Sequence, residues 1–155
     1  MDTLNKQAII LLATGFDAAS TIYTLDRLRA TNFKVHLVSL QTGLVQSSHG
    51  LWLKPDASLE TADLTRPPDM VIMPDGEQCA TSLLRDPRVH RLLQRVVANQ
   101  GVVAALPASE SCLYRFLPLH TIPQQQFVNK SPSNGNSNGQ AMRNFADQLV
   151  ARLAV

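Results

Sequence analysis

The chain has 155 residues, of which 45% are hydrophobic, and its 14 basic and 12 acidic side chains leave a formal net charge of +2. This length predicts a single domain over residues 1–155 with a substantial core. The near-balanced charge excludes the phosphate-neutralising surface of a nucleic-acid binder, and the longest apolar runs are far too short to cross a membrane. The two cysteines make no disulfide framework or zinc site and, with no leader-like segment, predict a cytoplasmic protein with reduced thiols.

The first half of the chain predicts three strands, one helix and a hairpin. An apolar run over Gln7–Ala13 predicts a strand buried on both faces. Asp17 is a candidate N-cap for a helix that carries apolar residues at helical spacing to about Ala30. Lys34–Leu40 alternates as a second strand, Val45–Leu53 predicts a short hairpin, and Met70–Met73 predicts a third, buried strand.

The second half of the chain continues the alternation of helices and strands. Asp86 and Pro87 predict the start of a helix that Gly101 ends. Four elements follow: a strand over Val102–Leu106, a short helix over Ser109–Leu117, an extended segment over Gln126–Asn129, and a last helix with Met142, Phe145, Leu149 and Leu153 facing inward. The chain therefore predicts an α/β fold of the flavodoxin-like kind, a doubly wound, mostly parallel sheet with helices on both faces.

The carboxyl ends of parallel strands form the ligand crevice in such folds. In this sequence four segments follow predicted strands: Thr14-Gly15, Pro74-Asp75-Gly76, Pro107-Ala108-Ser109 and the serine- and glycine-rich Ser131–Ser137. We expect the functional residues in these segments.

Four stretches carry a family pattern in order and at matching spacing: Lys6–Gly15 (KQAIILLATG), Lys54–Glu60 (KPDASLE), Val71–Gly76 (VIMPDG) and Gly101–Leu106 (GVVAAL). Together they resemble the ThiJ/PfpI family, especially its Parkinsonism-associated deglycase branch. The resemblance implies a flavodoxin-like dimer and, as in many members, activity on small carbonyl compounds or their adducts with thiols and amines. It also implies a cysteine nucleophile on a sharp strand-to-helix turn, the elbow, directly after the strand that here is Val102–Leu106.

Two positions depart from that family pattern. Pro107 stands at the position of the elbow cysteine, and its ring, which holds φ at about −65°, excludes a positive-φ turn as well as a nucleophile. Ser20 stands at the position of the acidic residue that sets the protonation of the cysteine in the family. The nearest carboxylate, Asp17, lies one turn earlier and serves equally well as a helix cap.

Other family positions are partly kept. Gly76 stands where a backbone N–H helps to form the oxyanion site, with Asp75 in place of the preceding glycine. His120 is the candidate for the pocket histidine, in a segment that is shorter than in the family. The resemblance thus assigns the following positions to the pocket: Gly15, Asp17, Ser20, Asp75, Gly76, Pro107, Ala108 and His120.

Two functions follow from this pattern. The first is a catalytically degenerate family member with a small-molecule-binding, regulatory or stress-linked role. The alternative is an enzyme of the same fold, of a glyoxalase, deglycase or amidase type, with a relocated cysteine nucleophile at Cys112 or Cys79. We expect Cys112 on a buried face. Cys79 lies near a helix start, where the dipole lowers a thiol pKa, but packing in the core is the favoured role of this residue as well. Ser109, which no Gly-x-Ser-x-Gly pattern surrounds, is predicted to cap its helix.

The sequence and the family resemblance also indicate which cofactors and partners to expect. The four histidines are scattered and none is spaced with Cys, Asp or Glu as a ligand set, so we expect neither a metal nor a cofactor. The apolar helix surface near Ile22–Leu28 favours a homodimer, and the family resemblance implies that it forms through this helix and the hairpin Val45–Leu53. Trp52 in the hairpin is either an interface anchor or a core residue. A small-molecule ligand fits this prediction, and no nucleic acid or membrane partner is expected.

Overall fold

The computed structural model describes residues 6–117, 122–129 and 138–154, and eight strands, five α-helices and a 3-10 turn (Gln124–Gln126) lie in these ranges. The strands are β1 (Gln7–Leu12), β2 (Lys34–Ser39), β3 (Val45–Gln46), β4 (Trp52–Leu53), β5 (Ala57–Ser58), β6 (Met70–Met73), β7 (Val102–Ala105) and β8 (Phe127–Asn129). The helices are α1 (Ala18–Arg29), α2 (Glu77–Leu84), α3 (Pro87–Ala98), α4 (Pro107–Phe116) and α5 (Asn138–Ala154). None of these helices is both long enough and apolar enough to span a membrane.

Six of the strands form one sheet in the order β5-β2-β1-β6-β7-β8, and each described pair in it runs parallel. β3 and β4 form a separate antiparallel hairpin. The chain enters the sheet at β1, builds outward through β2 and β5, and then adds β6 on the other side of β1. The strand order therefore reverses between β1 and β6, and the carboxyl ends of these two strands flank the crevice where ligands bind in doubly wound sheets.

Helices cover both faces of the sheet because successive side chains of each strand point to opposite sides. Ile9 and Leu11 of β1 pack in a cluster with α2, α3 and α4 on one face. Ala8 and Ile10 pack in the other cluster, which α1 and α5 cover. The inward face predicted for the last helix is confirmed by its buried residues, Phe145, Leu149 and Leu153, with Met142 packed against the same cluster.

The predicted α/β architecture is confirmed, with one helix start misplaced. α4 begins at Pro107, two residues before the predicted start at Ser109. Proline fits the first position of a helix because an N–H at that position would have no hydrogen-bond acceptor within the helix. The two-residue strand β5, which pairs with β2, has no apolar run of its own and was not predicted. His120 and the segment Ser131–Ser137 lie outside the described residues.

Candidate functional site

The segments that follow β1 and β6 meet in the crevice, held by backbone contacts. The N–H of Asp17 donates to the carbonyl oxygen of Asp75, with 3.0 Å between nitrogen and oxygen. Gly76 has a φ of +106°, and a Cβ built on it would lie 2.3 Å from the carbonyl oxygen of Gly15. A glycine is therefore required at position 76 by both conformation and space.

Pro107 lies at the tip of β7 in an ordinary helix start. It occupies the first turn of α4, its side chain is exposed, and the preceding Leu106 is an extended N-cap with a φ of −80°. Among the described residues, positive φ values outside glycine occur only at Asn32 and Gln100. The turn after β7 thus has neither a nucleophilic side chain nor the strained backbone that exposes one.

The Asp75 carboxylate, which follows β6, contacts the first turn of α4. Its Oδ1 accepts from the N–H of Gly76 at 3.1 Å and from the N–H of Ala108 at 3.0 Å. Ala108 is 33 residues further along the chain and belongs to the first turn of α4. Two backbone N–H groups that converge on one oxygen are the arrangement of an oxyanion hole. In this protein the oxygen is the chain's own carboxylate.

Asp17 and Ser20 form a local helix cap. The Asp17 Oδ2 accepts from the Ser20 N–H at 3.0 Å and from the Ser20 hydroxyl, and Asp17 is the N-cap of α1. The predicted capping role of Asp17 is confirmed. These bonds hold the carboxylate of Asp17 against the first turn of its own helix.

Comparison with known proteins identifies the family. A model of the DJ-1/PfpI family matches residues 6–116. The chain belongs to the DJ-1/PfpI family. The resemblance seen in the sequence is thereby confirmed, and the match ends at the last residue of α4.

Two curated relatives are similar to this chain over part of their length. A Parkinson disease protein 7 homolog of Danio rerio is 31% identical over 109 residues, which make up 70% of this chain and 58% of the relative. A deglycase of Thermococcus kodakarensis is 28% identical over 92 residues, 59% of this chain and 50% of the relative. The chain thus spans about half the length of these curated relatives.

Solved structures confirm the flavodoxin-like fold. A cysteine-to-alanine mutant of a DJ-1 superfamily protein from Salmonella typhimurium matches with a TM-score of 0.77 at 25% identity, over 96% of this chain and 90% of its own. DJ-1beta of Drosophila melanogaster matches with a TM-score of 0.78 at 23% identity, over the same shares of both chains.

The two cysteines of this DJ-1/PfpI chain are buried free thiols. Cys112 is 4% exposed on the inner side of α4, where its Sγ lies 3.9 Å from the Thr81 hydroxyl of α2. This agrees with the expected buried face. Cys79 is fully buried, which agrees with the packing role favoured for it, and its position near a helix start does not activate the thiol: burial raises the pKa of the thiol to about 12, outweighing a hydrogen bond with the backbone of Ala13, and the charge of Asp75 raises it further. The helix dipole does not overcome the loss of solvent.

Ser109 holds the two strand ends together instead of capping α4. Its side chain is fully buried, and its hydroxyl donates to the carbonyl oxygen of Pro74 at 2.5 Å. Next to it, the Glu110 carboxylate accepts from the side-chain amide of Asn129 at 2.8 Å. The predicted cap is wrong because α4 starts earlier, and the proline at its first position was the signal in the sequence.

A cavity of about 370 Å³ lies beside α4 and β8. Its walls are Leu113, Tyr114, Leu117, Ile122 and Phe127, with Gln124 and Asn129 as polar groups. Volume and lining fall within the range of small-molecule sites. Among residues 6–117, 122–129 and 138–154, no three His, Cys, Asp or Glu side chains are grouped so as to hold a metal ion.

Proposed function

We propose that this DJ-1/PfpI member is catalytically degenerate at the elbow and serves as a small-molecule-binding protein in a regulatory, stress-linked role. The observation that carries the proposal is Pro107 in the first turn of α4, with regular helix-start geometry. Covalent catalysis requires an activated nucleophile with a base in reach, and a proline side chain offers no such atom. The proline also removes the backbone strain that would aim a neighbouring residue into the crevice.

The buried thiols support the same proposal. A thiol attacks a carbonyl as its thiolate, which forms in exposed, electropositive surroundings. Cys79 has a pKa raised to about 12 by burial, and Cys112 lies among apolar side chains. The environment of Cys79 therefore disfavours a reactive thiolate, and the burial of Cys112 shields its sulfur from a substrate. A cavity between α4 and β8 remains available to a small-molecule ligand.

The experiment that tests this proposal is a methylglyoxal turnover assay. Purified protein is expected to consume methylglyoxal, and to release an amine from its methylglyoxal adduct, no faster than an unrelated protein at equal concentration. The matched variants are Cys112→Ser and Cys79→Ser. Turnover in the wild type that either substitution abolishes contradicts the proposal and establishes an enzyme with a relocated cysteine.

We also propose a homodimer formed through α1 and the β3–β4 hairpin. Large apolar side chains are exposed on both elements: Ile22, Tyr23, Leu51 and Trp52. The hairpin is attached beside the start of α1, since the Gly15 N–H donates to the Gln46 carbonyl and the Ser48 N–H to the Phe16 carbonyl, each at 2.9 Å. Adjacent exposed apolar groups of this kind are typical of an interface.

Trp52 is the residue on which to test the dimer. It is 58% exposed, so core packing does not account for it, whereas an aromatic anchor in an interface does. Light scattering at micromolar concentration is expected to give the mass of a dimer for the wild type and of a monomer for Trp52→Ser. Tyr114→Ser is the matched control, because Tyr114 is also 58% exposed but lies on α4. A monomeric wild type refutes the dimer.

We further propose a single domain over residues 1–155 and a cytoplasmic location. The packing of α5 against the same cluster as α1 supports one folding unit. The two free cysteines support a reducing compartment.

A further inference from the structure

The Asp75 carboxylate makes a contact that local capping does not explain. A capping side chain accepts from an N–H two or three residues further along its own helix, as Asp17 and Asp86 do in this protein. Asp75 instead bonds the N–H of Gly76, the N-cap of α2, and the N–H of Ala108 in a different helix. We refer to these two N–H groups as the donor pair.

The donor pair has the geometry that binds an oxygen carrying negative charge. Both N–H groups belong to helix N-termini, which carry partial positive charge, and both nitrogens lie within 3.1 Å of the same oxygen. Hydrogen bonds from N–H to a carboxylate are among the strong ones in proteins. An external carbonyl or carboxylate oxygen would have to displace Asp75 to reach the same two groups.

We propose that Asp75 is a built-in occupant of the oxyanion-binding donor pair and closes the crevice to carbonyl and carboxylate ligands. The inference deepens the proposed function and rests on it in one respect: in a site without a nucleophile, occupation of the two N–H donors by Asp75 costs no catalytic activity. It differs from that proposal because it concerns ligand access, which the absence of a nucleophile does not determine.

The charged residues near the crevice also disfavour the binding of anionic ligands. The three segments after the carboxyl ends of β1, β6 and β7, residues 14–18, 74–78 and 107–111, contain four acidic residues and no lysine or arginine: Asp17, Asp75, Glu77 and Glu110. An incoming anion therefore meets occupied donors and repulsion from like charges. The crevice rejects anionic ligands on both grounds.

The test is an NMR titration of the backbone amides of Gly76 and Ala108 with sodium acetate, at constant ionic strength set by sodium chloride. Asp75→Ala removes the carboxylate without adding backbone freedom. Asp75→Asn is the matched control, because its amide oxygen can still accept from both N–H groups without a negative charge. We expect saturable shifts at both amides in Asp75→Ala, and none in the wild type or in Asp75→Asn.

Two outcomes of the titration overturn the inference. Saturable acetate shifts at both amides in the wild type show that the donors are open. A folded Asp75→Ala that shows no such shifts shows that the donors do not form an anion site. Methylglyoxal turnover by the wild type, by contrast, contradicts the proposed function and leaves the titration result standing, so the two failures are distinguishable.

A second measurement needs no variant and applies if Asp75→Ala does not fold. Amides in the first turn of a helix have no intrahelical acceptor and ordinarily exchange quickly with solvent. Because Asp75 accepts from both, we expect exchange of the Gly76 and Ala108 amides in the wild type to be about ten- to a hundredfold slower than in an unfolded chain. Unprotected exchange at both amides overturns the inference.

Discussion

The close approach of Gly76 to Gly15 offers a sharp test of the site geometry. In the substitution Gly76→Ala, the new Cβ would lie 2.3 Å from the Gly15 carbonyl oxygen and 3.2 Å from the backbone nitrogen of Asp17. Ordinary carbon–oxygen contacts begin at roughly 3.3 Å, so the two strand ends have to move apart by about 1 Å. The same residue would also have to adopt a φ of +106°.

The expected loss of stability has two parts. A non-glycine residue in this backbone conformation costs about 1–3 kcal/mol. Forcing atoms into a packed site adds about 1–3 kcal/mol more. The free energy of unfolding of Gly76→Ala should therefore fall by about 2–6 kcal/mol. A glycine-to-alanine substitution that causes backbone strain without a steric clash should lose only about 1–3 kcal/mol.

Gly43→Ala is the control that separates the two parts. Gly43 has a similar φ of +100°, but a Cβ there meets nothing within 4 Å. Urea unfolding followed by circular dichroism should show Gly76→Ala to be less stable than Gly43→Ala by about 2 kcal/mol, a difference in Tm of roughly 4–8 °C for a chain of this size. Equal losses in the two variants would refute the inferred contact between the strand ends.

Three further predictions concern ionisable groups. With both native cysteines replaced, the pH dependence of alkylation should give the thiol of Pro107→Cys a pKa within about one unit of that of free cysteine. Adding Ser20→Glu should bring the pKa of this thiol closer to the family pattern, in which an acidic residue sets the protonation of the cysteine. In the wild type, burial raises the pKa of the Cys79 thiol to about 12, so iodoacetamide at pH 8 should leave it unlabelled until the protein unfolds. The hydrogen bond from Arg88 lowers the pKa of Asp86, so stability from this pair is complete above the ordinary carboxyl pKa and is lost as the pH falls below it.

Each of these three predictions has its own control. For the elbow thiol, strongly acid-shifted alkylation in the single variant would show that the crevice still activates thiols. For Cys79, mass spectrometry of the alkylated native protein provides the comparison with the unfolded chain, and rapid native labelling contradicts the burial. For Asp86, the substitution Asp86→Asn keeps a helix cap, and its stability should approach that of the wild type below pH 4. A difference that stays constant from pH 7 to pH 3 contradicts the role of the ion pair.

The main elements of the fold could be predicted because their signals are local. β1 and β6 are short runs of apolar residues buried on both faces, and Asp86 with Pro87 marks a helix start by the chemistry of the first turn. Such signals depend on neighbours in sequence. The family pattern added the positions of the crevice, since the strand ends carry its glycines.

The contacts that define the site could not be predicted because they join distant parts of the chain. The bond from Ala108 to Asp75 spans 33 residues, and the bond from Ser109 to Pro74 spans 35. Cys79 shows the same limit: its position near a helix N-terminus is visible in the sequence, but the burial that outweighs the dipole depends on tertiary packing. Spacing in the sequence therefore placed Ser109 wrongly in its helix and did not decide the pKa of the Cys79 thiol.

The tight turn at Gly76 also bears on how proteins of this kind are found and described. A side chain at this position is barred by the carbonyl oxygen of Gly15, whatever chemistry the crevice performs. The glycine that marks the turn is thus maintained by architecture, and a chain can lose its nucleophile while keeping the glycine. A search that recognises the turn therefore reports the architecture, and the residue at the tip of β7 has to be considered separately.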